Sequence, residues 1–209
     1  MSESESTLSH ALMRGMQLLS SLVYLNLLWF LGVVAGGVVL GIGPATLSLC
    51  AVLRELIWEL IWNQREIAVG PFFLQEYQRL WKESNRFIFL FYGIYLFLWL
   101  DFRVIMRFSP SIVPAFVVLA VLVFLVTCYF IVFYQVFDGS LRTKLKNSLL
   151  LPWLFPAQSL GILALVGGFL LLIMRFPVVA VLFLMSVPFA LFHYMLRKKY
   201  WQHFRGKNQ

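Results

Sequence analysis

Ionisable side chains that could carry chemistry are scarce in this sequence, and three of them follow a long apolar run. Arg54, Glu55 and Glu59 come directly after 39 uncharged residues, Gly15–Leu53, a run too long for one membrane crossing. Charge at membrane depth is costly and by default indicates function, such as partner docking or conduction. Alternatively, this segment sits low and its charges reach the headgroups.

Uncharged polar residues extend this candidate polar site. Asn26 lies in the first half of the apolar run, and Thr46 follows the break at Gly41–Pro44. Broken helices with free termini often bind substrates at mid-membrane, so a polar cavity reaching Asn26, Thr46 and Arg54 would favour a carrier or channel.

No residue pattern in the chain indicates catalysis. His10, His193 and His203 have no metal-ligand spacing, and the zinc-protease, phosphate-loop and nucleophile-elbow motifs are absent. Cys50 and Cys128 both lie in apolar runs, which favours small buried side chains over a disulfide or a zinc site. We therefore expect no catalytic residue, no metal, no cofactor and no enzymatic activity.

The composition identifies an integral membrane protein. Of 209 residues, 61% are apolar and 12% charged, whereas soluble domains are about 45–50% apolar and about 25% charged. The mean hydropathy is +0.85. Because the bases that give the net charge of +8 flank apolar runs, the expected partners are the lipid bilayer and its anionic headgroups, not nucleic acid.

Apolar helices must position these residues. Gly and Pro at Gly41–Pro44 should divide the first run into a span over Gln17–Leu40 and a helix from Pro44 towards Trp62. That second helix could be a tilted span, a half-helix or an interfacial helix. The sequence predicts a single all-α polytopic membrane domain, residues 1–209, with five or six transmembrane helices; the later spans are predicted at 87–105, 112–137, 157–174 and 177–196.

Two polar segments are predicted outside the membrane. Residues 63–86 have the helical spacing of an amphipathic helix lying on a membrane or a partner, and residues 197–209 form a basic tail. If the second helix crosses, fourteen of the 17 Lys and Arg residues fall on one side. This bias predicts that both termini are cytoplasmic. If it does not cross, only the N-terminus moves outside.

Small residues form a stripe on the first span. Two small-xxx-small patterns lie in tandem over residues 32–41, and such patterns let helix backbones approach closely. The stripe favours close packing within one subunit, with an interface to a partner or to a second copy as the alternative. The candidate packing or partner contacts are Gly32, Gly36, Gly37 and Gly41 on the stripe, and Tyr77 and Trp81 on the amphipathic segment.

Three sequence pieces resemble the YesL-type family of small bacterial membrane proteins. They are Leu25-Asn-Leu-Leu-Trp29, Gly41-Ile-Gly-Pro-Ala-Thr46, and Trp81-Lys-Glu-Ser-Asn85, which is similar to the family's F-x-x-x-F-K-x-N segment. The resemblance covers about the first 90 residues by motif. The family usually has Pro before the second piece, where this chain has Val33-Val-Ala-Gly-Gly37.

The resemblance implies a multi-pass protein of the bacterial plasma membrane without an established biochemical activity. Family members often occur beside carbohydrate ABC-importer components. This association favours a non-enzymatic accessory or interaction subunit that contacts permease subunits through its amphipathic segment. The alternative is a small carrier or channel, possible as a homo-oligomer, with its site near the broken helix at Gly41–Pro44.

Overall fold

Helices form all the regular secondary structure that the computed structural model describes, which covers residues 2–58, 68–136, 139–176, 178 and 182–205. The predicted all-α class is confirmed for these residues. The longer helices are α1 (Ser2–Ala35), α2 (Ile42–Trp58), α3 (Val69–Phe108), α4 (Val113–Phe133), α5 (Leu141–Leu154), α6 (Pro156–Arg175) and α7 (Ser186–Arg205), with a 3-10 turn over Pro110–Ile112 before α4.

Four helices in the described residues are long and apolar enough to cross a membrane, fewer than the five or six predicted. They lie at Gly15–Ala35 within α1, Val69–Phe108, Val113–Phe133 and Pro156–Arg175. Helix α2 is not among them: its described part has 17 residues and ends at Trp58, where the undescribed residues 59–67 begin. The predicted span 177–196 lies partly outside the described residues, and its described part turns at residues 184–185 before α7 begins.

Helix α2 is the central helix of the fold. Every residue from Gly43 to Leu53 is buried, and α2 packs against α1, α3, α4 and α7. A helix that is apolar on all sides is stable only when other elements surround it. The described part of α2 between Gly43 and Leu53 therefore presents no exposed face on which it could lie against lipid.

Helix α3 merges two elements that the sequence analysis separates. The predicted amphipathic segment 63–86 and the predicted span 87–105 belong to one continuous helix of 40 residues, Val69–Phe108, while residues 63–67 lie outside the described part. After Pro71, which is in its first turn, no proline interrupts this helix. The sequence changes from polar to apolar near residue 86, but the helical backbone continues through this point without a break.

One side of α3 packs along the bundle with coiled-coil spacing. The residues facing inward are separated alternately by four and three positions, as in a heptad seam. They are Phe73, Tyr77, Leu80, Ser84, Phe87 and Phe91, all buried except the partly buried Tyr77.

Rings from α3 and α4 extend this seam. Phe87 lies 4.9 Å from both Phe130 and Tyr134, measured between ring centroids. These contacts attach the middle of α3 to the end of α4.

Two boundaries differ slightly from the sequence analysis. The turn between α1 and α2 covers residues 36–41, so Gly43 and Pro44 belong to the first turn of α2 and not to the break. Proline fits there because the first-turn amides of a helix have no intrahelical partner. Helix α7 continues through the predicted tail as far as Arg205, and residues 206–209 lie outside the described part.

Candidate functional site

Asn26 joins α1 to the start of α7. Its side chain is fully buried, and its Oδ1 accepts a hydrogen bond from the backbone N–H of Met185, 3.0 Å away. The Met185 carbonyl in turn accepts from the N–H of Phe189 in the first turn of α7. Amides at a helix start lack an intrahelical acceptor, so Asn26 supplies one where little water is present.

Trp29, three residues after Asn26 in α1, connects α1 to Thr46 of α2. The indole Nε1–H donates to Thr46 Oγ1 at 3.1 Å, and the Thr46 hydroxyl donates to the Ile42 carbonyl at 2.7 Å. Ser48 similarly donates to the Pro44 carbonyl at 2.7 Å. The hydroxyl groups near the start of α2 are therefore engaged inside the protein.

The turn between α1 and α2 requires glycine. The N–H of Val38 bonds to the Val33 carbonyl and that of Gly37 to the Val34 carbonyl, which together form a Schellman motif with Gly37 at φ +68°. A methyl group on Gly36 would overlap the backbone of Gly41. The break is therefore a closed turn with no space for a solute between these two residues.

Tyr77 contacts this turn region from α3, and Trp81 packs beside it. The Tyr77 hydroxyl donates to the Gly32 carbonyl at 2.7 Å, and a Cβ on Gly32 would lie 3.2 Å from the Tyr77 ring. Trp81 lies 5.5 Å from Tyr77 between ring centroids and is partly buried. Gly32, Gly36 and Gly41 thus pack within the subunit, whereas a Cβ on Gly37 would meet no atom within 4 Å.

The four described residues of the predicted polar site do not form one cluster. Arg54 pairs with its neighbour Glu55 at 3.1 Å, and both side chains are partly exposed, at 25% and 36%. Eight residues separate Arg54 from Thr46, which is about 12 Å along a helix. Glu59 lies outside the described residues. Asn26 and Thr46 form the hydrogen bonds described above and take no part in the ion pair between Arg54 and Glu55.

A largely apolar cavity of about 340 Å³ lies between α4, α6 and α7. It reaches the start of α2 at Ile42 and Thr46, and its walls include Phe124, Leu165 and Phe189. Among the polar groups at its wall, Tyr95 donates its hydroxyl to Thr127 Oγ1 at 2.9 Å, and Thr127 donates to the Val123 carbonyl at 2.8 Å. The surroundings suit an apolar molecule better than a sugar or an ion.

A second polar network joins α3 to the connection between α4 and α5. The Tyr134 hydroxyl donates to Glu83 at 3.2 Å, and Gln135 donates to Glu76 at 3.3 Å. Lys144 donates to the Tyr134 carbonyl at 2.8 Å and lies 4.0 Å above its ring. Burial, with the nearby Glu83 carboxylate, raises the pKa of Tyr134 to about 12, so this phenol remains a donor at neutral pH.

Sequence reasoning missed several of these contacts. Tyr95, Thr127 and Tyr134 were not singled out, and neither was Tyr92, whose hydroxyl donates to the Val39 carbonyl at 3.0 Å. The available signal was a polar group inside an apolar run, since such a group needs a partner in the membrane. Within the residues that the structure describes, no group of three or more His, Cys, Asp or Glu could hold a metal ion.

Comparison with known proteins identifies a family match over part of the chain. Residues 22–102 match the protein family of unknown function DUF624. This range includes Asn26, Trp29, Thr46 and Tyr77. Met185, the hydrogen-bond partner of Asn26, lies outside it. The uncharacterized protein YesL of Bacillus subtilis (strain 168) is 30% identical over 189 residues, covering 90% of this chain and 87% of the relative.

A second relative matches over a shorter range. The uncharacterized protein YesV of the same organism is 30% identical over 94 residues, which is 45% of this chain and 43% of that protein. No solved structure matches the chain significantly.

Proposed function

Since the chain belongs to the YesL-type DUF624 family, we propose that it is a non-enzymatic accessory subunit of a bacterial plasma-membrane complex. The proposed partner is the permease of a carbohydrate ABC importer, and the proposed contact surface is the polar half of α3. Both termini are cytoplasmic in this proposal.

The length of α3 is the observation that carries the proposal. At 1.5 Å per residue its 40 residues extend about 60 Å, twice the hydrocarbon thickness of about 30 Å. Its first half contains five charged residues between 76 and 86, whereas no charged residue occurs from Phe87 to Leu100. The first half thus presents charged and polar groups on its exposed face, packs on α1 through Tyr77 and Gly32, and is rigidly continuous with a candidate span.

An exposed polar stripe runs along this first half. It lies opposite the buried seam, and its members are separated by three or four positions, so that they share one helix face. Its members are Gln75, Gln78, Lys82 and Arg86, all exposed. Tyr77 faces the bundle and Trp81 is partly buried beside it, so the stripe replaces them as the proposed contact surface.

The engagement of the polar groups supports an accessory role over solute transport. Asn26, Thr46 and Ser48 have hydrogen-bond partners inside the protein, and the cavity beside them is largely apolar. A carrier for sugars needs polar groups that are available to its substrate.

The charge distribution supports the proposed orientation. The contact between Glu83 and Tyr134 brings the polar half of α3 to the end of α4 from which α5 follows. With the apolar half of α3 in the bilayer, as proposed, Lys82, Arg86 and the bases of α5 belong to one side and Arg103 and Arg107 to the other. An excess of bases is typical of the cytoplasmic face.

Affinity purification from the native host in a mild detergent tests the proposal. We expect permease or ATPase chains to co-purify in a fixed ratio with the wild-type chain. The variant with Gln78→Glu and Lys82→Glu should lose them. A matched control, Leu96→Ala with Phe97→Ala on exposed positions of the apolar half, should retain them.

Recovery of the chain alone as a defined homo-oligomer would contradict the accessory role. It would favour the second candidate, a small carrier or channel. The observation in favour of that candidate is that the cavity reaches Ile42 and Thr46 beside the α1–α2 turn. Solute flux in proteoliposomes that Asn26→Ala and Arg54→Ala abolish would support it, whereas flux unchanged by both would remove these residues from the path.

A further inference from the structure

Helix α5 exposes one continuous face that is basic in its first half and apolar in its second. The exposed residues recur at helical spacing, so they lie on the same side of the helix. They are Arg142, Lys146, Leu149, Leu150, Trp153 and Leu154, and Trp153 is 71% exposed.

The opposite face attaches α5 firmly to the bundle. Leu151 packs in the core cluster with residues of α4 and α6. The Pro152 carbonyl accepts a hydrogen bond from Ser159 of α6, at 3.3 Å. The orientation of the exposed face is therefore fixed relative to the two candidate spans on either side of it.

The two bases on this face have no ion-pair partner within the described part of the chain. Lys144, the remaining base of α5, points away from them and is engaged by the carbonyl and ring of Tyr134. There is no Asp or Glu within α5 itself. The positive charge of Arg142 and Lys146 is thus available to an anion.

The order of charges and apolar groups along α5 matches the profile of a membrane interface. From Lys146 to Trp153 the helix rises about 10 Å, slightly more than the headgroup region of one leaflet, which is about 5–8 Å thick. Tryptophan concentrates in that layer, and bases next to a bilayer attract anionic lipids. The helix also lies between two helices that can span the membrane, α4 and α6.

We propose that this face of α5 binds an anionic phospholipid of the bilayer. The lipid phosphate contacts Arg142 and Lys146, and its acyl chains lie along Leu149, Leu150 and Trp153. The site is separate from the polar stripe of α3 and does not depend on the proposed accessory function.

Lipid binding to the purified full-length chain, followed by native mass spectrometry, tests the site. Phosphatidylglycerol and phosphatidylcholine with the same acyl chains are the probes. We expect tighter binding of phosphatidylglycerol by the wild-type chain. The variant with Arg142→Gln and Lys146→Gln should lose about fivefold in phosphatidylglycerol affinity per base, since a base near an anionic surface contributes about 1 kcal/mol.

The matched control removes two positive charges at a different place, the C-terminal end of α3, with Arg103→Gln and Arg107→Gln. It should keep the preference for phosphatidylglycerol. An unchanged affinity in the α5 variant, or an equal loss in the control, would overturn the proposal. Loss of a co-purifying protein with unchanged lipid affinity would assign the face to a protein partner and would also overturn it.

Two measurements remain decisive if the double variant does not fold. In the wild-type chain, raising the salt from 0.1 M to 1 M shortens the Debye length from about 10 Å to about 3 Å and should weaken the preference for phosphatidylglycerol. In bilayers containing lipids brominated near the headgroup, Trp153→Phe should reduce the quenched part of the tryptophan fluorescence. A preference insensitive to salt, or unchanged quenching, would refute the site.

Discussion

The side chain of Asn26 accepts a hydrogen bond from the backbone N–H of Met185, a residue 159 positions later in the chain. This contact is buried, since the Asn26 side chain is fully enclosed by the fold. It fixes the start of α7 against α1, and it brings the N-terminal part of the fold, which contains the family motifs, together with the C-terminal part.

Replacing Asn26 by Leu should destabilise the protein by about 1–3 kcal/mol, because a buried N–H at the start of α7 loses its acceptor. The neighbouring substitution Leu27→Ala, on a side chain 42% exposed, serves as the control and should have a much smaller effect. Thermal unfolding in detergent measures both. Equal stability of Asn26→Leu and wild type would show that the contact does not contribute.

The hydrogen bond between Trp29 and Thr46 should be measurable as a coupling energy. Trp29→Phe removes the indole donor, Thr46→Val removes the acceptor, and the double variant removes both. We expect a coupling of about 0.5–1.5 kcal/mol in a double-mutant cycle of unfolding free energies. Strict additivity of the two single substitutions would contradict a direct interaction.

Glycine to alanine substitutions should have opposite effects at two positions. Gly36→Ala should destabilise by about 1–3 kcal/mol or more, since its methyl group would overlap Gly41. Gly93→Ala, in the middle of α3, meets no atom within 4 Å and should stabilise the helix by about 0.5–1 kcal/mol. Unfolding midpoints of the two variants test the contrast, and a stable Gly36→Ala variant would disprove the closed turn.

The hydrogen bond from Tyr134 to Glu83 should give a stability that depends on pH at the alkaline end. Burial raises the pKa of Tyr134 to about 12, above the value of about 10 expected in the unfolded chain. The neutral phenol is therefore favoured by folding, and its contribution is complete below pH 10 and is lost as the pH rises through about 12.

Unfolding midpoints of the wild type and Tyr134→Phe between pH 8 and pH 12 check this dependence. The difference between the two proteins should shrink as the pH rises. A constant difference across the range would mean that folding does not raise the pKa of the Tyr134 phenol.

Cysteine labelling should place the two ends of α4 on opposite sides of the membrane. Lys146→Cys in α5 and Ser111→Cys in the turn before α4 introduce thiols at exposed positions. We expect an impermeant reagent added to intact cells to label the residue-111 thiol and not the residue-146 thiol. The wild-type chain, with Cys50 buried and Cys128 partly buried, controls for background. The reverse pattern would contradict the proposed orientation.

Much of the fold follows from local sequence properties. The spans predicted at 112–137 and 157–174 correspond closely to α4 and α6, because hydropathy over about 20 residues is additive and needs no tertiary partner. The continuity of α3 is also implied locally, by the lack of a proline after its first turn. The sequence analysis divided this helix in two because the sequence changes from polar to apolar near residue 86.

The candidate polar site was not predictable in this way. Asn26, Thr46 and Arg54 were identified as polar residues in apolar surroundings, yet the structure gives each a different partner. The sequence by itself determined the membrane class, the helical content and which polar residues need hydrogen bonds. Only the tertiary structure decided which partners they have and that α2 is central, because these contacts depend on how distant helices pack and leave no periodic signal along the chain.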